Sequence, residues 1–463
     1  MGAPPRGSSI FFCPEVLKNY VQMKPTNSDV VRTNGQICPD GTVIELMRST
    51  TNQTVLLLWK DERFEMSDRV EYSGMTYAAA PIAASILPAL RLPARIGPPE
   101  TTETLFADLH AFFTGRSGQL DSCVIPLVFA VFASWLSPVL SIAPTLSIFA
   151  PSSSPKTRML QLLRMVCRRP LCIVGLTRSD MRRLPWSLGP TLLLDEPDSK
   201  SAMQAILRAS SERGMHVAAG DGLVDPFGPK IIVSSWPLHD ASLEGNLLRI
   251  VLTPISGNVP SLEKPEEEEI AEKFQARFLG YFLRNFNHVQ VPSFDVSDLA
   301  LPVQGIAQTL GSSVVGSAEL QARILPMLAV QDEEVRAARA SSLDAVVLES
   351  ILFFIHRGDW SKVRMQNLAE KVVEIYKGRG SDRADVSAES VGWAVKRLGI
   401  PSGRINKAGN GVELTNDFCR LVHRLALSHG VRAMESGFRQ GCRYCDELQA
   451  AKRRPSDTVQ AGI

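Results

Sequence analysis

Apolar residues change their spacing along this chain, and each change predicts a different architecture. Up to about residue 100 they fall in short runs between turns. Thr54–Trp59 (TVLLLW) reads as a buried strand, and Arg69–Tyr77 alternates about Ser73-Gly74 like a hairpin. A proline-rich linker (LRLPARIGPPE) precedes a helix whose packing face is Leu105, Phe106, Leu109, Phe112 and Phe113. From about Asp121 to Pro254 continuous apolar runs, Thr145–Ala150, Leu171–Val174, Thr191–Leu194, Ile231–Ser234 and Leu248–Leu252, alternate with helical stretches. Such runs suit strands covered on both faces, so they predict an α/β sheet.

The polar tract Ser256–Glu269 reads as a solvated linker and helix start, followed by helices up to about Glu333. Leu343–Phe354 and Asn367–Tyr376 are apolar every three or four residues. Ser387 caps a third helix with Val391, Ala394, Val395 and Leu398 inward. A hairpin, Gly403–Lys407 and Val412–Leu414, follows, and three helices then a hairpin is the order of a winged helix. The predicted organisation is a β-rich region over 1–100, an α/β core over 101–256, a helical region over 257–335, a winged-helix-like domain over 336–430 and a basic tail over 431–463.

With 463 residues, 44% hydrophobic and 21% charged, the chain is a globular protein of about three domains, which excludes disorder and coiled coil as descriptions of the whole. A net charge of +2 leaves attraction to nucleic acid to local patches. One lies at Lys156–Arg183, with eight basic residues against Asp180 alone; its alternative reading is a solvated helix face with pairs to acidic neighbours. The other, Lys396–Arg454, includes the candidate DNA contacts Lys396, Arg397, Arg404 and Lys407; a winged helix used for protein contact is the alternative. Eight cysteines are too few for a disulfide scaffold, so reduced thiols and a cytoplasmic location are expected. Ser122–Pro155 carries no charge, and Cys123–Ala143 is long enough for a membrane helix. Pro126, Pro138 and Pro144 are expected to cut it into a short helix, Pro126–Ser137, and a strand, so no membrane is expected.

The chemistry concentrates where Thr145–Ala150 runs through Pro151-Ser152-Ser153-Ser154-Pro155 into Lys156-Thr157 and a helix, the context of a phosphate-binding P-loop. There backbone N–H groups and Ser152, Ser153 and Ser154 would surround phosphate, Lys156 would reach the outer phosphates and Thr157 would bind Mg²⁺. Thr191–Leu194 ends in Asp195-Glu196, one carboxylate to hold the metal and a neighbour to activate water, and a third strand ends at Ser234-Ser235, where Ser235 could touch the same water.

In their order, Lys156-Thr157, Arg168–Leu171 (RRPL), Thr191–Asp198 (TLLLDEPD) and Asp225–Val233 (DPFGPKIIV) resemble P-loop ATPases of the AAA-related, helicase-like class carried by bacterial mobile elements and phages. The resemblance covers about residues 120–255. It implies ATP and Mg²⁺ as cofactors, assembly into a ring or with partners, and work on DNA. Two places depart from the family pattern. Ala150 and Pro155 stand where the loop has glycine, and Asn246 stands near where an arginine is offered to a neighbouring subunit, with Arg249 inside a strand. Proline has no N–H and a fixed φ, which disfavours the cradle. Two functions stay open: an ATP-linked DNA-handling enzyme, or a non-catalytic DNA-binding or scaffold protein with a degenerate ATPase fold. Cys442 and Cys445, with Cys419 and His423, have zinc-ligand chemistry. The preferred reading is two thiols in a C-terminal turn and a buried Cys419, without zinc. His110, His216, His239, His288 and His356 have no partner at a fixed spacing.

Overall fold

The computed structural model describes residues 30–151, 154–197, 207–219, 222–235, 247–254, 263–381, 385–406, 409–431 and 441–452. Seven strands come first: β1 (Val31–Thr33), β2 (Gly35–Ile37), β3 (Val43–Arg48), β4 (Thr54–Lys60), β5 (Arg63–Ser67), β6 (Arg69–Tyr72) and β7 (Met75–Ala79). They make an antiparallel sheet β2-β3-β4-β5 and a small sheet β1-β7-β6. The β6–β7 hairpin turns through Ser73 and Gly74 at φ 51° and 77°. Positive φ at both central positions matches the strand twist.

Helix α1 (Thr102–Ser117) is capped by the Thr101 hydroxyl and ends at Gly118 with φ 65°. Helix α2 (Asp121–Leu136) runs through Pro126, where the sequence predicts a boundary. A proline costs one backbone hydrogen bond, about 3 kcal/mol. That is offset because every side chain from Pro126 to Leu136 is buried against α1 and later helices. The uncharged stretch is thus the centre of a protein core, and among the described residues no helix is long and apolar enough to cross a membrane.

The α/β part contains β8 (Thr145–Phe149), α3 (Lys156–Val166), β9 (Pro170–Val174), α4 (Arg178–Met181), β10 (Thr191–Asp195), β11 (Val217–Ala219), β12 (Gly222–Val224), β13 (Lys230–Ser234) and β14 (Leu247–Val251). Five strands form one parallel sheet in the order β14-β8-β13-β10-β9. Successive side chains point to opposite faces. Accordingly Leu193, Ile231 and Val233 pack with α1, α2 and α3, whereas Leu192, Leu194 and Ile232 pack with Ile44, Leu46 and Leu56 of the first sheet. The N-terminal strands therefore share a core with the parallel sheet.

Helices α5 (Lys264–Asn285), α6 (Leu301–Ser313), α7 (Ala318–Ala322) and α8 (Ile324–Ala340) complete the helical layer. The acidic start of α5 is not simply solvated: Glu267 and Glu268 bind the buried Arg91 at 2.6 and 2.7 Å. A second core unites α9 (Leu343–Arg357), β15 (Lys362–Arg364), α10 (Met365–Gly378), α11 (Ala388–Arg397), β16 (Gly403–Asn406), β17 (Gly409–Glu413), α12 (Asn416–Ser428) and α13 (Arg443–Lys452). Its strands form an antiparallel sheet in the order β15-β17-β16.

Candidate functional site at the carboxyl end of the parallel sheet

Chain direction at β8 creates the site. After β8 the chain crosses to the far edge, returns through β9, β10 and β13 to the flank of β8, and places β14 on its other flank. Loops at the carboxyl ends of strands diverge at such a switch point and leave a crevice. Because β13 lies between β8 and β10, the ends of all three strands converge.

Lys156 opens α3 directly after the loop from β8. Its Nζ lies 2.9 Å from Glu196 Oε1 and also donates to Ser235 Oγ. Glu196 Oε1 further accepts from the Ser235 N–H at 2.9 Å and from Ser235 Oγ at 2.5 Å. A left-handed turn at Glu196, φ 47°, carries the chain out of β10, while its N–H bonds the Val233 carbonyl of β13 at 2.9 Å. Burial raises the affinity of Glu196 for a proton, but hydrogen bonds from Ser235 and Lys156 outweigh it and hold the carboxyl below its ordinary range. Asp195 is pushed the other way by burial and by the Glu196 charge, against the pull of Lys156. Thr157, exposed, and Asp195, half-buried, are the chain neighbours of the ion pair.

Two buried polar atoms here have no hydrogen-bond partner among the described residues, Glu196 Oε2 and Ser154 Oγ. Ser152, Ser153, Lys407 and Asn246 lie outside the described residues, while Arg249 is described within β14. For a triphosphate with Mg²⁺ this strand end offers the Lys156 ammonium to the phosphates and two carboxylates to the metal and its water, and the Ser154 hydroxyl would donate to a phosphate oxygen. The loop backbone fits less well. Pro155 has no N–H, the Lys156 N–H is bonded to the Ser154 carbonyl at 2.9 Å, and the Ser154 N–H to that of Pro151 at 3.0 Å.

The basic run from Lys156 to Arg183 is not one nucleic-acid surface. Arg168 and Arg169 are buried on Glu45, Arg164 approaches Glu267 at 3.9 Å, and Arg158 Nε donates to the Arg116 carbonyl. Each of these four guanidiniums found an acceptor in an element distant in sequence, which the run itself could not announce. A cavity of about 610 Å³ opens beside Arg168, Arg169 and Glu45 at the opposite, amino-terminal end of the sheet, away from Lys156.

In the C-terminal unit Lys396 and Arg404 are exposed, and Lys396 stands 5.1 Å from the ring of Trp393, itself 61% exposed on α11. Arg397, also exposed, is paired: its Nε bonds Asp344 of α9 at 3.0 Å, and a second guanidinium nitrogen bonds the same carboxylate. It clamps two helices together. Cys442, Cys445 and His423 converge, and their fourth neighbour is His356; Cys419 instead contributes its backbone carbonyl to His423. Sixty-seven residues separate His356 from His423, so no spacing rule could pair them.

No family model and no curated protein matches this chain. Solved structures similar to it include the C-terminal region of NrS-1, at 10% identity and a TM-score of 0.32, over 80% of this chain and 96% of that one. Another is Drosophila ORC bound to DNA, at 13% identity and a TM-score of 0.20, over 72% and 94%. A third is the Aeropyrum pernix ORC1 protein in complex with DNA, at 14% and 0.19, over 66% and 91%.

Proposed function

We propose that this chain is a P-loop-type ATP-binding protein that handles DNA. The α/β core would hold nucleotide at Lys156, and the C-terminal unit, read as a winged helix, would contact DNA through Lys396 and Arg404. The observation that carries the reading is the convergence of Lys156, Glu196 and Ser235 from three strand ends onto one point. Bound Mg²⁺-ATP would supply a phosphoanhydride for hydrolysis, with Thr157 and Asp195 as the metal's side chains. Lys156 would exchange Glu196 for a phosphate. Glu196, still held by the Ser235 N–H, would then accept a proton from water at Oε2, the oxygen without a partner among the described residues. Assembly of several copies and a cytoplasmic setting complete this reading.

The second reading, a scaffold that keeps the ATPase fold without turnover, is favoured by Pro155 and by the loop N–H groups bonded within the loop. Equilibrium binding of a labelled ATP analogue with Mg²⁺ separates the two. Saturable binding lost in Lys156→Ala supports the first. Absence of binding in the wild type, unrestored in an Ala150→Gly, Pro155→Gly double variant, leaves the scaffold.

A further inference from the structure

We propose that His356, His423, Cys442 and Cys445 form a Zn²⁺ site that fastens the C-terminal helix α13 to α9 and α12. One ligand atom of each residue lies within 4.8 Å of all the others. The two Nε2 atoms are 3.1 Å apart, Cys442 Sγ is 3.5 Å from His423 Nε2, and Cys445 Sγ is 3.5 Å from His356 Nε2. Tetrahedral zinc, with Zn–N near 2.05 Å and Zn–S near 2.3 Å, sets N···N at about 3.3 Å and N···S at about 3.6 Å. Three of the six edges are thus already close to those of a zinc tetrahedron, and the other three are no longer than 4.8 Å.

The surroundings orient the ligands. His423 is buried, and its Nδ1 lies 2.6 Å from the Cys419 carbonyl, which can only accept. The ring proton therefore sits on Nδ1, and the Nε2 lone pair faces the centre, the arrangement a backbone carbonyl gives to metal-bound histidines. Two thiols and two imidazoles are soft or intermediate ligands, which select zinc over Mg²⁺ or Ca²⁺. Four protein ligands leave no vacant position, so the site is structural. Binding would release the two thiol protons to solvent. The ligands come from the end of α9, the body of α12 and the start of α13, so metal affinity becomes docking energy for α13.

Metal analysis of the full-length chain, purified under reducing conditions without added chelator, should find one zinc per chain. After chelation and replacement by Co²⁺ alone, the protein should show the intense visible bands of tetrahedral cobalt with a thiolate charge-transfer band. Cys442→Ser, at a half-buried position, should lose the metal, and Cys419→Ser should keep it. A reduced chain that takes up neither Zn²⁺ nor Co²⁺ overturns the proposal. So does a six-coordinate cobalt spectrum without thiolate character, or full zinc content in a Cys442→Ser, Cys445→Ser double variant. The cobalt spectrum of the wild type decides the matter even where a variant fails to fold.

Discussion

Lys156 and Glu196, 40 residues apart in sequence, form a 2.9 Å ion pair across the end of β13, with Ser235 bonded to both. The pair is a consequence of strand order. Had β10 lain directly beside β8, Ser235 would not stand between the two charges; had β9 taken that place, the Asp195-Glu196 turn would be too distant to meet the lysine. The ammonium is already neutralised, so any phosphate must compete with a carboxylate for it.

That competition has a direction. Glu196→Gln should free the Lys156 ammonium and tighten Mg²⁺-ATP binding by up to about tenfold, the scale of one charged hydrogen bond of about 1.5 kcal/mol, while removing the proton acceptor for turnover. Lys156→Ala should weaken binding by at least as much. Isothermal titration with a non-hydrolysable analogue reads both effects, and equal affinities in all three proteins would count against a phosphate site at Lys156.

Glu45 supports the junction between the first sheet and the α/β core. It is buried, with Arg168 at 2.8 Å and Arg169 also bonded to it. Removing its charge by Glu45→Gln strands two buried guanidiniums, and loss of one partner of a buried pair costs about 3–5 kcal/mol. Urea denaturation should show a loss on that scale, and a change below about 1 kcal/mol would mean that water reaches the pair. Burial opposes ionisation of Glu45, but Arg168 and Arg169 win and hold its carboxyl below the ordinary range. Its contribution is therefore present above the usual glutamate range and lost as pH falls through the lowered folded-state value.

Lys230 gives a pH dependence of the same sign in a higher window. It is 1% exposed at the start of β13, and its Nζ donates to the carbonyls of Ser210, at 2.7 Å, and Gly228. Burial pushes its pKa down to about 7. A free lysine titrates near pH 10.4, so between about pH 7 and 10 the unfolded chain holds the additional proton and stability should rise with pH. Lys230→Met should flatten that rise in denaturation midpoints measured across the window. An unaltered slope in the variant would assign the rise to another group.

DNA binding by the C-terminal unit should rest on Lys396 and Arg404 more than on Arg397. Replacing the first two with alanine should reduce the slope of log affinity against log salt by about 0.9 for each phosphate no longer neutralised. Arg397→Ala should leave the slope nearly unchanged and lower thermal stability, because its guanidinium is bonded to Asp344. A slope that responds to Arg397 alone would place the DNA on a different face of α11.

Much of the α/β core is legible in the sequence because strand signals are local. Each apolar run that forms β8, β9, β10, β13 or β14 is recognisable within five or six residues, and the strand-end positions of Lys156, Glu196 and Ser235 follow from the run boundaries. Pro126 misleads because a proline advertises only the hydrogen bond it removes. The helix around it is set by burial of nearly a whole surface, a quantity no window of α2 contains.

By itself the sequence determined where the strands of the α/β core run, which residues carry charge to strand ends, and that the uncharged stretch could be a core helix. Only the tertiary structure decided which strands are neighbours, that Arg168 and Arg169 face inward to Glu45, that Arg397 joins Asp344, and that His356 completes a cluster with His423, Cys442 and Cys445. The reason is range. Periodicity and capping act over a few residues, whereas an ion pair or a ligand set is fixed by which distant surfaces the packed core brings together.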